Sequence, residues 1–347
     1  MNKELLKKML TTCSPSGRED QLIKLVLDDT KDLADSHIYD NQGSLTVVYN
    51  KESDFKVMLV AHADEISLVV NGYNSNGTLT LTNNGGIKAK LYNGVKVKIL
   101  VGEKIIHGVI GVVNKDNLSV EDLFVDIGIS DPLESQKIVP LGSYVVHDTD
   151  VVDLQNDMFA GRALDDRLGV FIIQEASKLA SKTNKKIGIY ATCSAGEETT
   201  GRGAYSSSAI IKPNLSVIVD VTYATDYLGS NASGSIKLHE GGVICLGSIP
   251  NRKLNNLLEE CAKELNLPIQ YEVYPGRTST DADTIIKTNE GVPQVLFSIP
   301  LRYMHSPIEV ASYKDVESMI QILALFLNKI SKDYSLTPLI FNASNLQ

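Results

Sequence analysis

The sequence contains no tryptophan, and its 347 residues include only four cysteines. These cysteines are scattered and form no CxxC pair, which argues against a disulfide framework and is typical of a reducing compartment. The N-terminal segment lacks the unbroken apolar core and cleavage site of a signal peptide, and no apolar run is long enough to span a membrane. We therefore expect a cytoplasmic protein that does not associate with membranes.

Positive charge is also scarce. The chain has 33 Lys and Arg residues against 42 Asp and Glu residues, which gives a net charge of -9. A protein that tracks a nucleic-acid backbone needs a basic patch, so we expect no nucleic-acid partner. The composition, 43% hydrophobic and 22% charged, is ordinary for a globular protein with a well-buried core. The length suggests two domains, or one large domain that carries an insertion.

The hydrophobic patterns predict an α/β domain interrupted by a β-rich insertion. Buried strands such as KVMLVAHA, KKIGIYATC and LSVIVDV alternate with amphipathic helices in residues 1–65 and 156–347. This alternation predicts an open, mostly parallel sheet with helices on both faces. Residues 66–155 instead contain many short strand patterns separated by Gly, Asn and Asp turns, which predicts a small all-β, barrel-like domain.

Acidic and histidine residues recur where the predicted buried strands end. They follow four different strands: His62 and Asp64, Glu197 and Glu198, Asp220, and His305. In open α/β sheets, ligands bind in the crevice beyond the carboxyl ends of the strands, so these residues could converge on one spot. A further acidic pair, Asp165 and Asp166, begins a predicted helix. Taken singly, each has an ordinary structural alternative, such as a turn, a loop or a helix N-terminal carboxylate.

Two imidazoles and several carboxylates suit zinc, cobalt or manganese, and no cysteine is needed. A pair of such ions about 3.5–4 Å apart requires one bridging carboxylate and separate terminal ligands for each ion. The ions polarise a carbonyl and acidify a water, and an unligated carboxylate can take the proton of that water. Such a site hydrolyses amide bonds.

Seven segments of the sequence together include these residues: PSGRED (15–20), AHADEI (61–66), LDDRLG (164–169), GEETTGRGA (196–204), VDVTYATD (219–226), GRTSTDA (276–282) and RYMHSPIEV (302–310). They resemble the motifs of the M42 metallo-aminopeptidases, a branch of the di-zinc peptidases that includes glutamyl and tetrahedral aminopeptidases. They follow the family order over nearly the whole chain, and the β-rich insertion falls where that family inserts its own small domain. The sequence departs from the common family pattern at Tyr223, where His is usual, and at Gly196, where Gln is usual; neither position is a metal ligand in the family.

The resemblance implies a role for each residue of the cluster. Two divalent metal ions are expected, zinc first, with cobalt or manganese as alternatives. Glu197 would be the general base that activates the attacking water, and Asp64 would hold the His62 imidazole in its binding tautomer. The implied metal ligands are His62 on one ion and His305 on the other, Asp165 as the bridge, and Glu198 and Asp220 as terminal carboxylates on opposite ions.

The expected activity is a metal-dependent aminopeptidase that acts on short peptides. Arg277 and Arg302 could select an acidic N-terminal side chain, or could equally be structural ion-pair partners. The resemblance also implies self-association through the inserted domain, with dimers assembling into a tetrahedral dodecamer. Two alternatives stay open: a di-metal amidohydrolase or deacylase that acts on a non-peptide or N-acyl substrate, and a non-catalytic assembly protein that keeps the fold.

Overall fold

The structure, a computed structural model, describes residues 1–230, 232 and 234–336. Among these residues, no helix is both long and apolar enough to cross a membrane. The helices are α1 (Lys3–Thr11), α2 (Asp20–Thr30), α3 (Pro132–Ile138), α4 (Leu164–Thr183), α5 (Arg202–Ile211), α6 (Arg252–Leu265), α7 (Ala282–Ile285) and α8 (Tyr313–Lys329).

The strands form one large open sheet, one small sheet and one closed barrel. In chain order they are β1 (Ser36–Tyr39), β2 (Leu45–Tyr49), β3 (Lys56–His62), β4 (Ser67–Tyr73), β5 (Leu79–Asn84), β6 (Lys96–Val101), β7 (Lys104–Ile110), β8 (Phe124–Asp126), β9 (Tyr144–His147), β10 (Val152–Asp153), β11 (Met158–Gly161), β12 (Gly188–Ser194), β13 (Leu215–Tyr223), β14 (Val243–Gly247), β15 (Gln270–Tyr274), β16 (Gln294–Leu301) and β17 (Glu309–Ser312).

The large sheet has the strand order β1-β2-β12-β3-β13-β16-β14-β15. Its four central strands, β12, β3, β13 and β16, are parallel, whereas β2 and β14 join them antiparallel. Side chains alternate between the faces of β3: Leu59 and Ala61 pack in the cluster that contains α4 and α8, and Met58 and Val60 pack in the cluster that contains α5 and α7. Helices therefore cover both faces, which confirms the predicted α/β class and explains why these strands are apolar throughout.

The β-rich insertion forms a separate closed barrel with the strand order β4-β5-β8-β7-β6-β9. The barrel has a core of its own, which includes Leu68, Leu81 and Ile99. This architecture confirms the predicted barrel, while the exact boundaries at residues 66 and 155 stay a prediction. Glu65 comes just before the first barrel strand and Arg162 just after β11, and these two buried side chains form an ion pair that Arg167 joins.

The parallel arrangement brings four strand ends to one edge of the sheet. His62 at the end of β3 lies beside Ser194 at the end of β12, and β13 and β16 run in register up to Tyr223 and Leu301. The segments that follow these strands carry most of the acidic and histidine residues identified from the sequence. The topology alone therefore gathers those residues from distant parts of the chain.

Candidate active site

Asp165 lies between the two histidines. Its Oδ1 is 3.0 Å from Nε2 of His62, and its Oδ2 is 3.1 Å from Nε2 of His305. A second carboxylate stands beside each imidazole: Asp220 Oδ1 is 3.9 Å from His62 Nε2, and Glu198 Oε1 is 3.5 Å from His305 Nε2. The side chains thus form two donor groups that share one carboxylate, which is the arrangement that a pair of divalent ions requires.

The start of α4 departs from helical geometry at this point. Asp165 has φ -77° and ψ 108°, and Asp166 has φ -120° and ψ 40°. Asp165 therefore does not act as an ordinary carboxylate of a helical first turn, because its backbone is extended and its side chain faces the histidines. Asp166 also has a carboxylate oxygen within 4.8 Å of ligand atoms of His62 and Asp220. Its oxygens, however, accept the backbone N–H groups of Gly169 and His62, so we assign Asp166 to holding the backbone.

The charges of the cluster are not balanced by basic side chains. Within the described residues, no Lys or Arg nitrogen lies within 4.0 Å of the carboxylates of Asp165, Glu197, Glu198 or Asp220. Burial raises the pKa of Glu197 and Asp220 well above the usual range, and neighbouring carboxylates add to the rise. Divalent cations would remove this repulsion by taking the place of protons. The donor set therefore fits a metal pair.

The two histidines and the carboxylates of the two donor groups line a cavity of about 340 Å³. Glu197 also lines it, and among the described residues no donor hydrogen-bonds to its carboxylate. A loop of the barrel lies against His305, because a Cβ atom placed on Gly86 would lie 2.9 Å from Nδ1 of His305. The barrel thus contacts one of the residues that line the cavity.

A family model described as M42 glutamyl aminopeptidase matches residues 43–322. The chain belongs to the M42 aminopeptidase family. A putative aminopeptidase of Acetivibrio thermocellus is 32% identical, over 92% of this chain and 96% of the relative. A lysyl aminopeptidase of Pyrococcus furiosus is also 32% identical, over 96% of this chain and 99% of the relative.

Solved structures agree with this family. A TET aminopeptidase from a marine sediment Thaumarchaeota archaeon superposes with a TM-score of 0.90 at 25% identity and covers 95% of this chain and 98% of that chain. The TET1 peptidase of Pyrococcus horikoshii, whose structure is described as a tetrahedron or a large octahedral shell, gives a TM-score of 0.85 at 26% identity, with 94% and 99% coverage. The protein is therefore an M42 aminopeptidase with the fold of the TET enzymes.

In this M42 aminopeptidase, Asp64 holds the turn that carries the two glutamates. Its carboxylate accepts the backbone N–H groups of Glu197 at 3.0 Å and Glu198 at 3.2 Å. Nδ1 of His62 lies 3.0 Å from the main-chain oxygen of Asp64 and 3.6 Å from its carboxylate. The carbonyl is thus the nearer partner for orienting the imidazole, and the carboxylate fixes the position of the glutamates.

Glu309, which is not among the site residues predicted from the sequence, performs a similar task. It accepts the backbone N–H groups of Leu164 at 2.8 Å, Asp165 at 3.3 Å and His305 at 2.9 Å. Burial raises the pKa of Glu309 to about 8. Its only local signal is its place in the RYMHSPIEV segment, because two of its partners lie more than 140 residues away.

The two arginines do not line the catalytic cavity of this M42 aminopeptidase. Nε and Nη2 of Arg302 bond to Asp226 at 2.8 and 2.6 Å. Nε of Arg277 lies 3.3 Å from Asp283, and 85% of its side chain is exposed. The contacts favour the ion-pair alternative for both residues over selection of an acidic substrate.

Proposed function

We propose that this M42 aminopeptidase removes N-terminal residues from short peptides by means of two divalent metal ions, zinc first, with cobalt or manganese as alternatives. The observation that carries the proposal is the placement of Asp165 between His62 and His305, at 3.0 and 3.1 Å. Asp220 would complete the first donor group and Glu198 the second.

Metal ions held by these residues would polarise the scissile carbonyl and lower the pKa of a water molecule. Glu197 is the carboxylate of the cavity that is left free for proton transfer, since its backbone is held by Asp64 and its side chain has no donor among the described residues. Glu197 accepts the proton of the attacking water and returns it to the leaving amine.

The substitution Glu197→Gln tests this assignment, because it keeps the size of the side chain and removes the base. We expect both metal ions to be retained, by elemental analysis, and turnover to fall by about 10²–10⁴, the usual contribution of a general base. The matched control is Glu260→Gln on the exposed face of α6, which removes the same charge away from the cavity. Turnover close to that of the wild type in Glu197→Gln would remove this residue from the role.

The substrate class is tested with blocked and free amines. An aminopeptidase hydrolyses aminoacyl-nitroanilides with a free α-amino group and leaves their N-acetylated forms intact. The opposite preference would support the deacylase alternative, and a protein that binds no divalent metal would support the non-catalytic one. The cytoplasmic location also stays a prediction.

We further propose that the chain assembles into dimers and then into a tetrahedral dodecamer. The support is its similarity to TET structures, one of which is described as a dodecamer and is 26% identical over 95% of this chain. Light scattering coupled to size-exclusion chromatography would give the mass of twelve chains; a monomer would contradict the proposal.

A further inference from the structure

Glu272 is a buried carboxylate outside the catalytic set that has no cationic partner among the described residues. Glu272 lies on β15 with 9% of its surface exposed, and it accepts hydrogen bonds from the hydroxyls of Thr222 and Ser298. No Lys, Arg or His nitrogen lies within 4.0 Å of it in the part of the chain that the structure describes. Glu65, which is similarly buried, has two arginines beside it.

Glu272 faces a second cavity, of about 480 Å³, that adjoins the catalytic one. The two cavities share three lining residues, Thr222, Tyr223 and Tyr274. Thr222 follows Asp220 by two positions on the same face of β13, which separates them by roughly 7 Å along the strand. A substrate side chain that spans roughly 7 Å can therefore extend from the catalytic cluster to Glu272.

The surroundings of Glu272 suit a cation. Burial raises the pKa of Glu272, and the hydrogen bonds from Thr222 and Ser298 only partly oppose the rise, so the ionised form is poorly compensated. A carboxylate has about four acceptor sites, and the two hydroxyls occupy two of them. The remaining sites can accept N–H donors from a group in the cavity. Near the shared wall, Nζ of Lys88 is 5.7 Å from the ring centroid of Tyr223, and Lys88 lines neither cavity.

We propose that Glu272 forms the bottom of a subsite that binds the cationic side chain of an N-terminal Lys or Arg residue. This inference rests on the proposed peptidase function and adds the substrate class. The aliphatic stem of the substrate side chain packs along Tyr223 and Tyr274, and its ammonium or guanidinium group bonds to the carboxylate. Glu272 is thus a specificity-determining residue.

Lysyl- and norleucyl-nitroanilide form the discriminating pair, because norleucine keeps the aliphatic stem of lysine and lacks its charge. We expect the wild-type enzyme to prefer the lysyl substrate in kcat/KM by roughly 10- to 100-fold, the range for a charge-assisted hydrogen bond. In Glu272→Gln the preference should disappear through loss of lysyl turnover, with norleucyl turnover unchanged. The amide can still bond to both hydroxyls, and Glu260→Gln is the control for loss of one negative charge.

An active wild-type enzyme that prefers the norleucyl substrate, or one whose two rates fall equally in Glu272→Gln, would overturn the inference and leave the proposed function intact. Failure of the wild-type enzyme to cleave any aminoacyl substrate with zinc, cobalt or manganese would instead overturn the proposed function. Calorimetric titration with free L-lysine and L-norleucine separates the two cases, because it requires no turnover. The subsite is supported if the wild type binds lysine more tightly than norleucine and Glu272→Gln abolishes this difference. Equal binding of the two amino acids by the wild type refutes it.

Discussion

Acid should destabilise this protein through His147, a histidine buried in the barrel at the end of β9. Its side chain is 6% exposed, and its ring centroid lies 4.1 Å from that of Tyr92. Neither ring nitrogen has a hydrogen-bond partner among the described residues. Burial lowers the pKa of His147 to about 3, and the nearby charge of Arg162 contributes to the shift.

The sign and size of the effect follow from this pKa. Because the folded pKa lies below the ordinary value of 6.5, the unfolded chain takes up a proton first as the pH falls. The free energy of unfolding is therefore unaffected above pH 6.5 and decreases as the pH falls from 6.5 towards 3. One pH unit corresponds to about 1.4 kcal/mol, so acidification from pH 7 to 5 should cost about 2 kcal/mol through this residue.

Urea unfolding of the metal-free protein at pH 7 and pH 5 would measure this loss, with far-ultraviolet circular dichroism as the signal because the chain has no tryptophan. The His147→Phe variant keeps a ring against Tyr92 and should lose about 2 kcal/mol less than the wild type over this interval. The control His107→Gln changes a histidine whose side chain is 68% exposed and should behave as the wild type does. Equal pH dependence in wild type and His147→Phe would refute the reasoning.

Two further substitutions test how the site is supported. Gly86→Ala places a methyl group 2.9 Å from His305 Nδ1 and should lower kcat by about 10- to 100-fold, whereas Gly276→Ala, which meets no atom within 4 Å, should not. In the wild type, both side-chain oxygens of Glu309 accept backbone N–H groups, whereas the Glu309→Gln variant keeps only one side-chain oxygen that can accept them. The variant should therefore lower the free energy of unfolding by about 1–3 kcal/mol and weaken metal retention on dialysis. Unchanged metal retention and stability in Glu309→Gln would show that the three N–H groups do not depend on it.

The large sheet could be predicted because its central strands are apolar throughout and each is followed by a helix or a turn. Parallel strands end at one edge, so acidic residues that follow such strands meet there. His62 and Asp220 illustrate this logic, since each is fixed by its place on a strand. The barrel could be predicted for a similar reason, because short strand patterns separated by turn residues leave few other folds.

The remaining features depend on contacts between distant segments. Asp165 looked like a helix N-terminal residue, and only packing against β3 and the loop of His305 shows that its backbone is not helical. The ion pair between Arg302 and Asp226 spans 76 residues, and no local pattern indicates it. Glu272 likewise reads as an exposed position of an alternating edge strand, and its burial arises from Thr222 and Ser298 on other strands.

The ion pair between Glu65 and Arg162 has a consequence for how the barrel evolves. These residues are 97 positions apart in the chain, and the whole barrel lies between them in the sequence. Burial opposes ionisation of Glu65, but the two arginines outweigh it and lower its pKa to about 2, so this ion pair persists over a wide pH range. The cost of closing a loop grows slowly with its length, by about 0.6 kcal/mol for each doubling. Two segments tied together in this way allow the inserted module to be lengthened, shortened or exchanged while the spacing of the strands that carry the predicted metal ligands is preserved.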